Sequence, residues 1–565
     1  MDIWIGSITP DHNGSTCLLK NGELVFYIEE DRLSRLKYEG VPFAGLDLIR
    51  KYTDRLDRLV ISHYGSLDDY NPTSILAKTS HIGLEDFYTA YARKIGLIDK
   101  KFDVKKQHYQ VYDAGVHHHI MHATNAFINS GFDEANVLVS DNRGSYKSIN
   151  KDSGVETETI LFFTKHNFTE IFKRVYVFTD DDSFEKFYSD RGYYYSNSLN
   201  ICRAYEQMVE YCGFNFLEAG KAMGLAPYGK PDSNIPSIFE GNYPKYRHNK
   251  EFYKNGQLVI NDYLKRATLE IKQNFAYSVQ KQCEDMMMQM IQFSVQKTDC
   301  KNVIVTGGFG LNCSANYQYR KRLPKDINLY CEPISHDGGT SIGAARFVWN
   351  TMYKSSFSKL ETLYLGPSEN LNYNLKDKEQ SFNVTKQDVV RLLLEQKLIC
   401  IFQSKSEAGP RALGNRSILF DPRVPNGKDI VNRVKKREWF RPFAGTILLD
   451  YVHDWFDMAG LEESPFMMYA VDTLEDKRKI IPSIVHVDGT CRIQTVTKKQ
   501  NLHFYELIEE FYKQTSVPIL FNTSFNLAGE PLVETIDDAL ETLRNSDLEY
   551  LYLPEINKMI RVPNV

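Results

Sequence analysis

Residues Ile3–Glu30, IWIGSITPDHNGSTCLLKNGELVFYIEE, decide how the chain begins to fold. Ile3–Ile8 is a short apolar run and reads as a strand. Asp11-His12-Asn13-Gly14-Ser15 is a polar turn, and Thr16–Leu19 is a second strand. Asn21-Gly22 is the dipeptide of a two-residue hairpin, so Glu23–Glu30 returns as a third strand. The polar turn is either a plain hairpin turn or a loop whose backbone N–H groups meet phosphate; taken alone, the plain turn is preferred. Residues 30–37 are dense in charge and are expected to be exposed. A helix over 44–53, a strand over Arg58–Ser62, a His-rich helix and a further strand complete one mixed α/β half. Residues 65–112 read as an insertion with helical pieces.

The His-rich helix is His117-His118-His119-Ile120-Met121-His122, which runs on without Gly or Pro to Gly131. On a helix His118 and His122 are i and i+4 and share a face, close enough for two imidazoles to meet one metal ion. Two carboxylates stand ready to complete a site. Asp141 ends the apolar strand Val137–Ser140, and Asp337 lies in Ser335-His336-Asp337-Gly338-Gly339 before a helix. The alternative is a surface helix that happens to be rich in histidine.

At 565 residues the chain needs more than one core. A net charge of −5 gives no general attraction to nucleic acid, which is not an expected partner. No run of about 18 apolar residues is present, so no membrane span is expected. Nine cysteines, an odd number without a C-x-x-C pair, point to a reduced, cytoplasmic compartment.

Beyond the first half, Thr157–Thr164 and Ile171–Thr179 alternate as antiparallel strands do. Glu218–Gly229, with three glycines and Lys221, reads as a binding loop or a structural turn. Residues 264–298 form a long helix. The strand Asn302–Thr306 runs into Gly307-Gly308, and a helix follows with Asn312 and Asn316 on one face. Asn328–Cys331 precedes Gly338-Gly339. Two Gly-Gly turns between strand and helix suit nucleotide phosphate or ribose, although neither a Walker loop nor a G-x-G-x-x-G motif is present. Tyr364–Asn383 reads as a linker, and a new unit begins near 385 with a helix over Val389–Glu395 and a strand over Leu398–Phe402.

That unit gathers basic side chains: Arg411, Arg416 and Ser417; then Lys435, Arg437 and Arg441; then His486 and Arg492; and finally the polar turn Asn522, Ser524 and Asn526. Arginine's planar fork binds phosphate or carboxylate in bidentate fashion. Arg held beside Gly, Pro and aromatics points to an anion pocket; salt bridges with neighbouring Glu are the alternative.

The ordered motifs Asp11-His12, Glu29–Arg35, His118–His122, Gly220–Gly229, Gly307–Asn316, Asp337–Ala345, Gly409–Ser417, Arg437–Phe443, His486–Gln494 and Asn522–Asn526 resemble the NodU/CmcH family of ATP-dependent O-carbamoyltransferases, across nearly the whole chain. The resemblance implies an α/β protein. Residues 1–363 would form a duplicated actin/heat-shock/sugar-kinase-like domain, 364–384 a linker, and 385–565 a YrdC-like domain. It implies that the C-terminal domain makes carbamoyl-adenylate from carbamoyl phosphate and ATP on Arg411, Arg416, Ser417, Lys435, Arg437, Arg441, His486, Arg492, Asn522, Ser524 and Asn526. Arg411 and Arg441 would be catalytic. The N-terminal domain would hold the nucleotide with Asp11, Gly14, Ser15, Lys221, Gly307, Gly308, Asn312, Asn316, Gly338 and Gly339. A divalent metal on His118, His122, Asp141 and Asp337, with Fe(II) favoured over Mn, Zn or Mg, would assist transfer to a small-molecule hydroxyl, with His12 as general base. A homodimer is left open.

The chain departs from the family pattern at Asp141-Asn142-Arg143-Gly144-Ser145, at Ser404-Lys405-Ser406 and at Gly445-Thr446. The competing expectations are a threonylcarbamoyl-type tRNA modification enzyme and a non-catalytic ATP-binding regulator. Acceptor contacts are sought in the insertion 65–112 and in Tyr193-Tyr194-Tyr195.

Overall fold

The computed structural model describes residues 2–63, 81–82, 85–99, 110–179, 181, 183–254, 256–353, 359–368 and 371–563. The chain divides into two compact units. The first comprises Met1–Glu30, Tyr38–Asn312 and Leu323–Leu360; the second comprises Asp31–Lys37, Cys313–Arg322 and Glu361–Val565. The segment expected as a linker falls within the second unit. Most of the 65–112 insertion lies outside the described residues; within it Phe87–Lys94 is a helix, capped by Asp86, whose side chain accepts from Thr89 N.

In the first unit, β1 (Trp4–Thr9), β2 (Ser15–Lys20) and β3 (Glu23–Glu29) pair antiparallel. Asn21 and Gly22 both have positive φ, 52° and 85°, as the tight primed turn requires. After helix α1 (Phe43–Ile49), β4 (Arg58–Ile61) and β5 (Val111–Asp113) join parallel to β1, giving the order β3-β2-β1-β4-β5. Helix α2 (His118–Ser130) follows and ends at Gly131, which has φ 73°.

The second half repeats the plan. β6 (Glu134–Ser140), β7 (Asp152–Thr164) and β8 (Phe168–Tyr176) are antiparallel neighbours. After α3 (Ile201–Tyr211) and α4 (Leu269–Thr298), β9 (Asn302–Thr306) and β10 (Asn328–Cys331) add parallel to β6, in the order β8-β7-β6-β9-β10. Between β9 and β10 the chain contributes α5 (Cys313–Arg322) to the second unit, and α6 (Gly339–Tyr353) closes the half. Equal strand order and equal direction make the two halves duplicates, which is the α/β architecture expected of this part of the chain.

The duplication places the chemistry. Asp11 and Asp141 follow the first strand of their halves, while His118 and Asp337 stand at the helix after each fifth strand. Almost every residue of α2 is buried and the helix packs on α6, so its histidines face protein on all sides.

Three local expectations are corrected. Residues 30–37 are not an exposed charged stretch. Glu30 is buried and accepts from Ala44 N and Gly45 N, and buried Arg32 donates to the carbonyls of Glu407 and Gly409. Residues 216–228 are helical: Asn215 and Glu218 form a capping box, Ala219–Leu225 is an α-helix, and Pro227 sits in the 3₁₀ turn that follows. Reciprocal capping and a proline at an N-terminal turn outweigh two scattered glycines. Asn312 precedes α5 rather than lying on it, with φ −76° and ψ 86°, so Asn312 and Asn316 do not share a helix face.

The second unit is one ten-stranded mixed sheet. In chain order its strands are β11 (Gln380–Asn383), β12 (Ile399–Phe402), β13 (Arg416–Phe420), β14 (Ala444–Leu448), β15 (Phe456–Asp457), β16 (Ala470–Thr473), β17 (Thr490–Val496), β18 (Ile519–Ser524), β19 (Tyr550–Leu553) and β20 (Lys558–Arg561). They lie in the order β11-β20-β19-β12-β13-β18-β14-β17-β16-β15. β12 and β19 run parallel, as do β14 and β17. Helices α7 (Lys386–Leu394), α8 (Gly427–Val434), α9 (Leu502–Thr515) and α10 (Ile536–Arg544) complete the unit, and Leu540, Leu543, Leu551 and Ile418 lie in one of its cores.

Candidate metal centre and arginine cluster

His118 Nε2 and His122 Nε2 are 3.1 Å apart. His118 Nε2 lies 3.4 Å from Asp141 Oδ2 and 3.6 Å from Asp337 Oδ1, and His122 Nε2 lies 3.4 Å from Asp337 Oδ1. Four donors bonded at about 2.0–2.2 Å around one tetrahedral ion stand roughly 3.3–3.5 Å apart, so these side chains fit a divalent metal. All four are buried. Burial favours neutral His118, yet Asp141 and Asp337 hold its proton affinity well above the ordinary histidine value. Burial likewise opposes charge on Asp337, but His118 and His122 hold it well below the usual carboxylate range.

Helix α2 is pinned at its N-terminus. Ser145 Oγ accepts from His118 N (2.9 Å) and donates to Gly115 O (2.6 Å). Glu156 Oε1 accepts from His119 N and Ser145 N, and Glu156 Oε2 is 2.7 Å from the fully buried Lys173 Nζ. The neighbouring histidines have other surroundings. His119 Nδ1 pairs with Thr159 Oγ1, and burial pushes this imidazole down to about 3; His117 faces the Phe347 ring.

Beside this centre Asp11 Oδ1 accepts from His12 N (2.6 Å) and meets His12 Nδ1 at 3.0 Å; His12 Nδ1 is 3.7 Å from Asp337 Oδ2. Burial lowers the His12 pKa, but Asp11 and Asp337 raise it further, to about 9. The His12 side chain is 42% exposed, the most accessible of this group.

The other nucleotide candidates differ in how far the fold occupies them. Gly14 N donates to Glu39 O, a Cβ there would sit 2.6 Å from that oxygen, and Ser15 Oγ donates to Gly338 O. Gly339 is pressed against Ile334 O, and Gly307, at φ 83°, against Ser140 O; neither has room for a side chain. Gly308 is more open, and its N–H points at Asp141 Oδ1. Asn312 exchanges amide hydrogen bonds with Gln280, Lys221 pairs with Glu218 at 2.8 Å, and Asn316 donates to Met468 O. Tyr194 and Tyr195 are fully buried.

In the second unit, paired register sets Ala470, Arg492, Ala444 and Asn522 in one row across β16, β17, β14 and β18. Asn522 Nδ2 donates to Ala412 O, Thr446 Oγ1 and Gln494 Oε1, and Gln494 Nε2 donates to Leu413 O, so the 409–415 loop lies on this face. Buried Glu407 holds that loop: its Oε1 accepts from the backbone N–H groups of Leu413, Asn415 and Arg416. Its place beside Gly409–Ser417 was visible in sequence; its role as an acceptor was not.

Arg411, Arg437, Arg441 and Arg492 crowd together here. Burial and the charges of Arg492 and Arg441 pull Arg411 down to about 9. Burial, then Arg441 and Arg492, hold Arg437 far below the usual guanidinium range. Glu438 lies 3.5 Å from Arg441. Arg492 Nε and Asn522 Oδ1 have no hydrogen-bond partner among the described residues. The His486 side chain is only 7% exposed, and this desolvation lowers its proton affinity despite Asp488.

Other basic-pocket candidates serve the fold. Arg416 gives its guanidinium to the carbonyls of Gln403, Ser404, Asn415 and Glu534 and lies over the Phe402 ring. Ser417 Oγ accepts from Gly414 N. Lys435 Nζ donates to Ser524 O, to Asn526 O and to Asn526 Oδ1, which also accepts from Ser524 Oγ.

Residues 5–346 match the family model described as Carbamoyltransferase N-terminus, and residues 390–559 the model described as Carbamoyltransferase C-terminus. Nodulation protein NolNO of Sinorhizobium fredii is 29% identical over 96% of this chain and 78% of its own length. Nodulation protein NolO of Bradyrhizobium diazoefficiens is 30% identical over 77% of each chain. Among solved structures, full-length HypF in its phosphate- and nucleotide-bound form aligns over 63% of this chain and 56% of its own, at 13% identity and a TM-score of 0.40. With both family models matched in order, the chain belongs to the carbamoyltransferase family and is an enzyme of that class.

Proposed function

We propose that this enzyme is an ATP-dependent O-carbamoyltransferase that splits its reaction between its two units. The observation that carries the reading is the arginine cluster of the second unit, in which Arg411, Arg437, Arg441 and Arg492 lie close enough to disfavour one another's charge. Such a cluster is costly unless anions share it, and carbamoyl phosphate with the ATP phosphates supplies them. There carbamoyl phosphate, ATP and water would give carbamoyl-adenylate, pyrophosphate and phosphate. Arg411 and Arg441 would stabilise negative charge developing on the reacting oxygens.

The first unit would transfer the carbamoyl group to an acceptor hydroxyl. A divalent metal on His118, His122, Asp141 and Asp337, iron(II) by preference and manganese, zinc or magnesium by compatible chemistry, would supply Lewis acidity. In its neutral form, favoured as pH rises toward its pKa of about 9, His12 would take the hydroxyl proton at Nε2 while Nδ1–H donates to Asp11. The hydroxyl oxygen bonds to the carbamoyl carbon, the bond from that carbon to the AMP oxygen breaks, and AMP leaves.

The test is pyrophosphate release from the purified protein with carbamoyl phosphate and ATP, together with detection of carbamoyl-adenylate by mass spectrometry. Pyrophosphate dependent on carbamoyl phosphate is the expected result. No adenylate with any divalent metal refutes the reading.

A further inference from the structure

The arginine cluster accounts for phosphate, but a nucleoside triphosphate also carries a base. Trp439 lies between Arg437 and Arg441 in sequence and is 51% exposed. Its loop is not loose. Asn432 Nδ2 donates to Trp439 O (3.5 Å) and Arg441 O (3.3 Å), Arg441 N donates to Glu438 O, and Arg437 N donates to Asn432 O. The next residue, Phe440, is buried and meets the Trp439 ring edge-on at 5.8 Å. The loop therefore spends one aromatic on anchoring itself and presents the other to solvent. His486, hydrogen-bonded to the Phe440 backbone, brings in a second loop, whose next residue, Val487, is 56% exposed. Two fixed loops thus expose apolar side chains, and one of those loops carries Arg437 and Arg441.

We propose that Trp439 is the stacking platform for the base of the nucleoside triphosphate whose phosphates lie on Arg437 and Arg441. This rests on the ATP-dependent reading above and adds the base subsite to it. An exposed indole two residues from Arg437 on one side and two from Arg441 on the other in the chain matches both parts of a nucleotide: the π-face takes the base and the charges take the phosphates. Stacking is tolerant of base identity, so discrimination between adenine and guanine is not asked of this residue.

Calorimetric titration of the full chain with ATP, and with tripolyphosphate as a probe that has the phosphates and lacks the base, tests the proposal. Trp439→Ala is expected to weaken ATP binding on the order of ten- to a hundred-fold, the range of one base-on-aromatic contact, and to leave tripolyphosphate binding unchanged. Trp439→Phe, which keeps a ring, should recover most of the ATP affinity. Arg437→Ala should weaken both probes. Equal losses of ATP and tripolyphosphate in Trp439→Ala, or full ATP affinity in it, overturn the stacking role while leaving the ATP-dependent reading intact. Failure of the unaltered protein to bind either probe overturns that reading, and the base subsite with it.

Discussion

Replacing His118 with alanine separates the two half-reactions proposed for this enzyme. His118 Nε2 is within 3.1–3.6 Å of His122, Asp141 and Asp337, so its loss removes one of four donors and leaves two carboxylates and one imidazole. Loss of groups that merely orient a ligand costs about 10–100-fold in metal affinity, and loss of a ligand costs at least as much. Take a metal concentration about 100 times the dissociation constant of the unaltered protein. Binding then stabilises the native state by about 2.7 kcal/mol, and a hundredfold weaker site gains only about 0.4 kcal/mol at the same concentration. The metal-induced gain should fall by about 2.3 kcal/mol, read as the difference between melts with and without metal for each protein. Carbamoyl-phosphate-dependent pyrophosphate release should stay within about twofold, because the arginine cluster belongs to another unit. Carbamoyl transfer should be abolished. An unchanged metal-induced shift would refute the ligand assignment, and an equal fall in pyrophosphate release would refute the division of labour.

Glu407→Ala leaves three buried N–H groups, those of Leu413, Asn415 and Arg416, without their acceptor. At about 1–3 kcal/mol for each unsatisfied group, softened by relaxation, the second unit should lose roughly 3–6 kcal/mol, with pyrophosphate release falling because Arg411 loses its support; Glu407→Gln, which keeps an acceptor oxygen, should be milder in thermal melts and in turnover. Glu332 is fully buried, and burial pushes its carboxyl up to about 7 against hydrogen bonds from Ile334 N and Asn129. The native state therefore holds this proton more tightly than the unfolded chain, so its contribution is complete below the ordinary value of 4.5 and is lost as pH rises through 7. Glu332→Gln should remove a decline of roughly 3 kcal/mol between those limits, measurable as a flatter pH dependence of urea denaturation; an unaltered slope contradicts a neutral native Glu332.

Local chemistry made much of the fold legible in sequence. Asn21-Gly22 forces a primed turn because both residues must take positive φ, and that turn pairs β2 with β3. The uninterrupted helix from His118 to Ser130 and the strand ending at Asp141 were equally readable, because periodicity and breakers act over a few residues. The i, i+4 spacing of His118 and His122 already put their imidazoles on one face. Exposure and partnership were not readable in the same way. The charged run 30–37 looks solvated, yet Arg32 is buried on carbonyls of Glu407 and Gly409, residues remote in sequence. Arg416 and Arg411 have the same side chain five positions apart, and only the register of β13 and the path of the 409–415 loop send one into backbone carbonyls and the other toward Arg492.

The sequence by itself determined which residue types were on hand: two imidazoles at helical spacing, carboxylates at strand and helix ends, and arginines beside glycine and proline. Tertiary structure decided which of them meet. Asp141 and Asp337 are 196 positions apart in the chain, and they converge on α2 because duplicated halves with one strand order bring equivalent ends to one place. That convergence depends on long-range strand pairing and on the packing of α2 against α6, which no local window of sequence contains.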